Sequence, residues 1–346
     1  MMPKKIWVDS DLLENKSGIG RDSKVMVEWL SQHFQIEVIH WPKFLSINSK
    51  YRRKILMAVR IVFGRILTLP KEFDCALYQS QLGPVLPGNS NRVWIIRLHD
   101  LFPITHPEWF NWWARYVFKN SFYKALEMNS IFLCDSIATQ KDLFELCGDR
   151  KVLSFVVPCQ IQSEITDQCT RCFACKNIQD LSSGNFFLSV GTVEPRKNYA
   201  LAIETWESLG NSGPSLYIVG KPGWKTKDLQ KRLRSAKHLG LTWIDECCDG
   251  ALEVLYLNCK GLISFSFAEG FDLPPMEVRQ RHSKPLLLSD IPVHREFHSV
   301  DALFFTKSSD LLELLKVSHA PTSLSSYAKN AKSTLGLLKN HLNSVL

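Results

Sequence analysis

Residues 261–277 read GLISFSFAEGFDLPPME and carry the clearest local signal for the fold class. The stretch opens with a short apolar run, Gly261–Phe265, as expected of a strand buried in a parallel sheet. A loop with a glycine follows. Pro274 and Pro275 then open a helical segment, where proline is tolerated because the first helical N–H groups are unpaired anyway. The stretch therefore predicts a strand, a loop and a helix N-terminus, which is the building unit of an α/β fold.

The same alternation of apolar runs and helical patterns continues along the whole chain. In the first half it predicts strands at Lys5–Asp9, Gln35–Ile39, Cys75–Tyr78, Val93–Leu98, Ile131–Cys134 and Val152–Val157. In the second half it predicts strands at Phe186–Val190, Ser215–Val219, Leu241–Ile244, Gly261–Phe265, Pro285–Leu288 and Ala302–Phe305. Strand–helix alternation implies parallel sheets with right-handed crossovers, so we expect two Rossmann-like domains.

The pattern also suggests where these domains begin and end. We expect an N-terminal domain over residues 1–160, a polar linker over 161–184, a C-terminal domain over 185–322 and a final helix over 323–346. The chain of 346 residues is long enough for two α/β domains of ordinary size.

Composition limits the class of protein. A hydrophobic content of 45% with 22% charged residues indicates a folded globular chain. The sequence has no apolar run long enough for a membrane span and no signal-peptide core, which predicts a cytoplasmic protein. The net charge of +8 suits phosphorylated ligands, anionic lipid or nucleic acid. Nucleic acid is the least favoured of these, because no recognised binding motif is present.

Three of the ten cysteines, Cys169, Cys172 and Cys175, lie close together in the linker. Their spacing resembles part of an iron–sulfur or zinc site, but no fourth ligand follows at a suitable spacing. A thiol-rich loop that binds no metal is therefore favoured. Because the sequence shows no secretion signal, the other cysteines are expected to be reduced thiols.

Two carboxylates stand eight residues apart in the opening stretch, Glu269 in the loop and Glu277 in the predicted first helical turn. Backbone N–H groups near Gly270 and Phe271, together with the positive helix end, form a ready anion site. Glutamate near a helix N-terminus also has a purely structural explanation, since acids stabilise that end. The residues alone leave both interpretations open.

A pair of cations follows another predicted strand. Residues 186–198 read FFLSVGTVEPRKN and place Arg196 beside Lys197 just after the apolar run. Adjacent cations at this position suit a diphosphate, whose charge they neutralise. A solvated loop is the alternative.

His99 and Asp100 follow the predicted strand Val93–Leu98. Ligands of open parallel sheets bind at the carboxyl ends of strands, and Asp100 is expected to orient the ring of His99. A purely structural histidine is the alternative. After the first strand, Gly18 and Gly20 fit either a tight turn or a backbone that approaches phosphates. They lack the third glycine and the acid of a dinucleotide fingerprint.

Together these segments resemble glycosyltransferase family 4, retaining enzymes of the GT-B fold, in which two Rossmann-like domains face a central cleft. EGFDLPPME at 269–277 resembles the family's E-x7-E motif, GTVEPRKN at 191–198 its donor-domain signature and HDLFP at 99–103 its His-Asp segment. The combination of EPRKN with HDLFP is similar to bacterial mannosyltransferases of polysaccharide assembly.

The resemblance implies roles for single residues. Glu269 would face the transferred sugar, Glu277 would hold the nucleotide ribose, and amides near Gly270 and Phe271 would touch the diphosphate. His99 would lie near the reacting sugar.

Other roles concern the phosphates. Many family members have arginine directly after the first glycine of the donor-domain signature, where this chain has Thr192. Arg196 and Lys197 would then neutralise the diphosphate by themselves. The backbone at Gly18 and Gly20 would approach the acceptor or the donor phosphates.

The expected activity is transfer of a hexose, with mannose from GDP-mannose as the best guess, to a lipid-linked glycan acceptor. The resemblance implies that no cofactor or metal is required. A GT-B sugar-nucleotide epimerase and a non-catalytic sugar-nucleotide-binding protein are the alternatives, since a fold does not determine a function.

Residues 50–69 hold six lysines and arginines among apolar residues and no acid. A basic, apolar helix of this kind is typical of a surface that lies on anionic membrane, here the inner face of the cell membrane. A helix packed on the core with a solvated basic face fits the same pattern.

Overall fold

The computed structural model describes residues 5–9, 18–39, 75–78, 93–128, 130–161, 184–210, 213–316 and 327–345. The strands within these residues are β1 Lys5–Asp9, β2 Gln35–Ile39, β3 Cys75–Tyr78, β4 Val93–Leu98, β5 Ser130–Cys134, β6 Leu153–Val156, β7 Phe186–Val190, β8 Ser215–Val219, β9 Leu241–Ile244, β10 Gly261–Ser264, β11 Leu286–Ser289 and β12 Ala302–Phe305. Every strand predicted from the sequence is present, and the observed ends differ from the predicted ends by at most one residue.

Helices connect most of these strands. They are α1 Gly18–Ser31, α2 Phe102–Thr105, α3 Trp112–Leu126, α4 Ile137–Cys147, α5 Tyr199–Leu209, α6 Lys227–Ser235, α7 Asp249–Asn258, α8 Leu273–His282, α9 Pro292–His298, α10 Ser308–Lys316 and α11 Tyr327–Val345. Local chemistry sets their ends. Helix α4, for example, begins after Ser136, whose hydroxyl accepts from the Thr139 amide at 3.1 Å, and it ends at Gly148 in a positive-φ conformation.

The strands form two six-stranded sheets, with orders β2-β1-β3-β4-β5-β6 and β12-β11-β10-β7-β8-β9. All strand pairs within each sheet are parallel. Strand β4 is buried along its whole length, as a parallel strand covered on both faces should be.

The chain divides into two compact units. One consists of Met1–Gln160 with Ala328–Leu346, and the other of Ile161–Tyr327. Helix α11 therefore belongs with the first unit although it ends the chain. Its buried Leu335, Leu338 and Leu342 join the core formed by β1 and its neighbours.

The second sheet changes direction at one point, and this feature positions the site described below. From β7 the chain builds β8 and β9 to one side, and it then returns to place β10 on the other side of β7. The loops that follow β7 and β10 consequently leave the same edge of the sheet side by side. Such a switch point is where open α/β sheets bind ligands.

None of the helices in the described segments combines the length and apolar character that a bilayer span requires. The basic segment 50–69 and the cluster of Cys169, Cys172 and Cys175 lie outside the described residues, as does most of the expected linker.

Candidate functional site

The loops after β7 and β10 meet in a cluster of charges. The Arg196 guanidinium contacts the Glu269 carboxylate and also lies 2.7 Å from Oε1 of Glu194. Lys197 Nζ lies 2.7 Å from Oε1 of Glu269 and 3.0 Å from Oδ1 of Asp272. The structure thus brings together three residues singled out from the sequence, Arg196, Lys197 and Glu269, although the two loops are far apart in the chain.

Burial strengthens the interactions in this cluster. The side chains of Lys197, Glu269 and Asp272 are each less than a tenth exposed. Burial alone would lower the pKa of Lys197, but the negative charges of Asp272 and Glu269 raise it above its ordinary value. Burial would likewise raise the pKa of Asp272, but Lys197 and the hydrogen-bonded His294 hold it well below its ordinary value. The lysine and the aspartate are therefore both charged near neutral pH.

Asp272 adopts a left-handed backbone conformation with φ of 65°, which is uncommon for any residue other than glycine. Ser264 donates to its Oδ2 at 2.7 Å, and Nε2 of His294 lies 3.0 Å from the same oxygen. Nδ1 of His294 faces the Ser289 carbonyl oxygen at 2.8 Å. The imidazole of His294 therefore bridges the Asp272 carboxylate and the backbone at the end of β11.

Glycines allow the backbone to pack closely beneath the cluster. A Cβ atom at Gly191 would lie 2.8 Å from Cε of Lys197, and one at Gly220 would lie 1.9 Å from the Gly191 carbonyl oxygen. The neighbouring Thr192 is half-buried, and its carbonyl accepts from the Glu194 amide at 2.8 Å. The lysine side chain therefore lies directly over the end of β7.

Helix α8 differs from the expectation in the position of Glu277. Glu277 is the fifth residue of Leu273–His282 and lies beyond the first turn, so the prediction that it falls within that turn is wrong. Its Oε2 accepts a hydrogen bond from Tyr256 Oη at 2.8 Å. Pro274 and Pro275 supply no N–H groups at the N-terminus of this helix.

The loop residues before α8 are buried. Gly270 and Phe271 are both buried, and the Phe271 ring packs against Phe297 with a centroid distance of 4.8 Å.

In the first unit, Gly18 and Gly20 are among the first residues of helix α1.

His99 follows β4 and is buried, with Nδ1 2.8 Å from Oδ2 of Asp135. Asp100 was expected to orient this ring, and that expectation is wrong. Oδ1 of Asp100 instead accepts from the Phe102 amide at 3.3 Å. Asp135 comes directly after β5, the neighbour of β4, so both residues lie at the same edge of the sheet. Its position at a strand end was the signal that could have identified it.

A buried ion network supports Asp135. Arg97 Nη2 lies 3.0 Å from Oδ1 of Asp135, and Nε lies 2.9 Å from Oδ2 of Asp22. Burial would lower the pKa of Arg97, but the two aspartates raise it. Ligand atoms of Asp22, His99, Asp135 and Cys159 all lie within 4.8 Å of one another. The guanidinium already supplies the positive charge among them, so this set fits an ion network better than a metal site.

Comparison with known proteins places this geometry in context. No protein-family model matches the chain. It is 27% identical over 223 residues to the serotype-specific mannosyltransferase WbdA of Escherichia coli, a match that covers 60% of this chain and 27% of that protein. It is 28% identical over 127 residues to the O-antigen chain mannosyltransferase RfbU of Salmonella typhimurium, covering 37% and 36%. The chain therefore spans about a quarter of the length of WbdA and about a third of RfbU.

Solved structures resemble about nine-tenths of the chain. HepE from Anabaena, crystallised with UDP and glucose, has a TM-score of 0.60 and 18% identity, covering 91% of this chain and 89% of its own. WaaG, a glycosyltransferase involved in lipopolysaccharide biosynthesis, has a TM-score of 0.59 and 13% identity, covering 91% of each chain. The fold is that of the GT-B glycosyltransferases, as the sequence predicted. The predicted similarity to bacterial polysaccharide mannosyltransferases is also confirmed, by WbdA and RfbU.

Proposed function

We propose that the chain is a retaining glycosyltransferase that moves mannose from GDP-mannose to a lipid-linked glycan acceptor in cell-surface polysaccharide synthesis. The observation that carries this proposal is the cluster of the half-buried Arg196 with the buried Lys197 and Glu269 at the switch point of the second sheet. Cations at this position suit a diphosphate, and the carboxylate suits a sugar beyond it. The names of WbdA and RfbU support mannose as the sugar.

Each residue then has a distinct role. Arg196 and Lys197 bind the donor diphosphate and stabilise the charge that develops as it leaves. Glu269 acts on the transferred sugar, while Glu277 binds the ribose of the nucleotide. In the first unit, His99 contacts the sugar.

Backbone groups complete the assignment. Amides near Gly270 and Phe271 contact the diphosphate, and Thr192 lies beside it. The backbone amides of Gly18 and Gly20, at the start of helix α1, face the acceptor or the donor phosphates. On sequence grounds, the basic segment 50–69 adds a peripheral location on anionic membrane.

Nucleotide binding tests the proposal most directly. Titration with GDP and UDP should show saturable binding that Lys197→Ala weakens by about ten- to a hundredfold, because a charge-assisted contact contributes roughly 1.5–3 kcal/mol. That variant removes one buried cation from beside the carboxylates of Glu269 and Asp272, so Lys197→Ala/Asp272→Gly serves as a companion that also removes one of these carboxylates. Glycine suits the positive φ at position 272. Lys231→Ala, at an 82% exposed lysine, is the control and should bind as the parent does.

Product analysis tests the reaction itself. GDP-mannose and UDP-glucose are supplied with a lipid-linked glycan, and NMR of the new linkage should show the donor's anomeric configuration. Inversion would contradict the proposed mechanism. Release of free sugar without transfer would favour an epimerase. In the titrations, equal affinity of the parent and Lys197→Ala for GDP and UDP would contradict the assignment of Lys197 to the diphosphate.

A further inference from the structure

The ring of His99 is held through one nitrogen. Nδ1 lies 2.8 Å from Oδ2 of Asp135, and a carboxylate can only accept, so Nδ1 carries the hydrogen. The other nitrogen, Nε2, is buried and has no hydrogen-bond partner among the described residues. Nε2 is therefore the atom that this arrangement leaves for a ligand.

Asp135 is itself held by a buried ion pair and by a thiol donor. Arg97 on β4 places Nη2 3.0 Å from Oδ1, and Cys159, after β6, donates from Sγ to Oδ2 at 3.2 Å. Asp22 on α1 then holds Arg97, with its carboxylate oxygens 2.9 and 3.0 Å from Nε and Nη2. The carboxylate of Asp135 cannot rotate without breaking several of these contacts.

The charges in this network agree with that arrangement. Burial would lower the pKa of His99, but Asp135 and Asp22 raise it above its ordinary value, with Arg97 acting in the opposite direction. Burial would raise the pKa of Asp135, but Arg97 and His99 lower it. Burial and the nearby carboxylates raise the pKa of Cys159, which therefore remains a thiol donor. Asp135 is accordingly an anion throughout the neutral range.

We propose that Asp135 is a positioning residue for His99, fixing the ring so that Nδ1–H faces Asp135 and Nε2 meets the transferred sugar. The inference rests on the proposed function, in which His99 contacts that sugar. At a pH above the raised pKa of His99, Nε2 of the neutral ring accepts a hydrogen bond from a sugar hydroxyl. Arg97 and Asp22 hold Asp135 in the orientation that this requires.

Asp135→Asn tests the proposal because it reverses one hydrogen bond. Arg97 can only donate, so the new amide oxygen should remain beside Arg97 and the NH₂ group should face Nδ1. Nδ1 must then accept, and the hydrogen moves to Nε2. Imidazole ¹⁵N NMR, at a pH above the ring's titration, should show Nδ1–H in the parent and Nε2–H in the variant. An Nε2–H ring in the parent, or the same tautomer in both proteins, would overturn the proposal.

Turnover supplies a second readout, with hydrolysis of GDP-mannose followed by release of GDP. Asp135→Asn should lower kcat by about ten- to a hundredfold, the effect of one misdirected hydrogen bond, with little change in KM. Because Asp135 acts through His99, the double variant His99→Ala/Asp135→Asn should match His99→Ala alone. A further loss in the double variant would indicate a merely structural role and overturn the proposal. Asp149→Asn, at an exposed carboxylate of the same unit, is the control.

The NMR and turnover measurements distinguish a failure of the positioning role of Asp135 from a failure of the proposed function. Turnover with an unchanged tautomer contradicts the positioning role and leaves the glycosyltransferase intact. If NMR shows the expected tautomers but the protein neither binds nor turns over GDP-mannose or UDP-glucose, the proposed function is contradicted. The proposed contact between His99 and the sugar is then contradicted as well. The tautomer of the parent needs no variant, so it decides the question even if Asp135→Asn fails to fold.

Discussion

At the scale of single residues, Glu269 has an unexpected partner set. Its Oε1 lies 2.7 Å from Lys197 Nζ and accepts from Ser266 Oγ at 2.6 Å, while its Oε2 contacts Arg196. The carboxylate therefore neutralises the same cations that we assign to the donor diphosphate. Under the proposed function, an arriving diphosphate would compete with Glu269 for these cations, and the carboxylate would then become available to the sugar.

This competition predicts different results for the two motif glutamates. Glu269→Gln removes the competing charge, so GDP should bind at least as tightly as to the parent, whereas kcat should fall about a hundredfold or more. Glu277→Gln should weaken GDP binding by about tenfold, because a charge-assisted bond to the ribose is lost. Isothermal titration with GDP and hydrolysis of GDP-mannose measure both effects. A loss of GDP affinity in Glu269→Gln as large as in Glu277→Gln would contradict the assignment.

At the scale of secondary-structure elements, helix α11 is notable because it closes the core of the first unit from the other end of the chain. Leu338 is fully buried there, and Leu342 is equally inaccessible. His341 on the same helix also contacts Phe155 of β6, with a centroid distance of 5.9 Å. The stability of the first unit therefore depends on residues that follow the second unit in the sequence.

Leu338→Ala should destabilise the first unit by about 2–5 kcal/mol, the usual cost of truncating a fully buried leucine. Urea unfolding, followed by fluorescence, should show an earlier transition for that unit. GDP affinity, which we assign to the second unit, should be unchanged below the transition. Leu337→Ala is the matched control, since this side chain is 59% exposed and its removal should cost little. Equal destabilisation by both variants would argue against the packing described.

At the scale of the whole molecule, a buried titratable group makes the free energy of unfolding depend on pH. His298 is buried, and its Nδ1 accepts from Arg279 Nη1 at 3.0 Å. Burial and the Arg279 charge lower the pKa of His298 from 6.5 to about 3. The imidazole of His298 thus becomes protonated below about pH 6.5 in the unfolded chain, but only below about pH 3 in the folded chain. The free energy of unfolding therefore decreases as the pH falls through this window.

The expected slope from this group is up to about 1.4 kcal/mol per pH unit. His298→Asn keeps an acceptor near Nδ1 but cannot titrate, so its unfolding free energy should fall less steeply between pH 6.5 and 3. Groups remote from this position are the same in both proteins, so the difference in slope comes from His298 and the Arg279–Asp301 pair beside it. His238→Asn, at an exposed histidine, should leave the slope unchanged. Parallel curves for parent and His298→Asn would contradict the prediction.

The sequence by itself determined the positions of the strands and the fold class. Parallel strands buried on both faces require continuous apolar runs, which can be read locally, and this explains why β4 and β7 were placed at their observed bounds. The motif segments after β7 and β10 were found for the same reason. They begin where an apolar run stops, and their residue types indicate a phosphate-binding chemistry.

Only the tertiary structure decided which of these residues meet. Arg196 contacts Glu269, 73 residues further along the chain, because β10 returns to lie beside β7. Asp135 contacts His99 in place of the adjacent Asp100, because β4 and β5 end at the same edge of the sheet. Strand order depends on the free energy of packing the whole sheet, which no local pattern encodes, so contacts between strand ends became visible only in the folded chain.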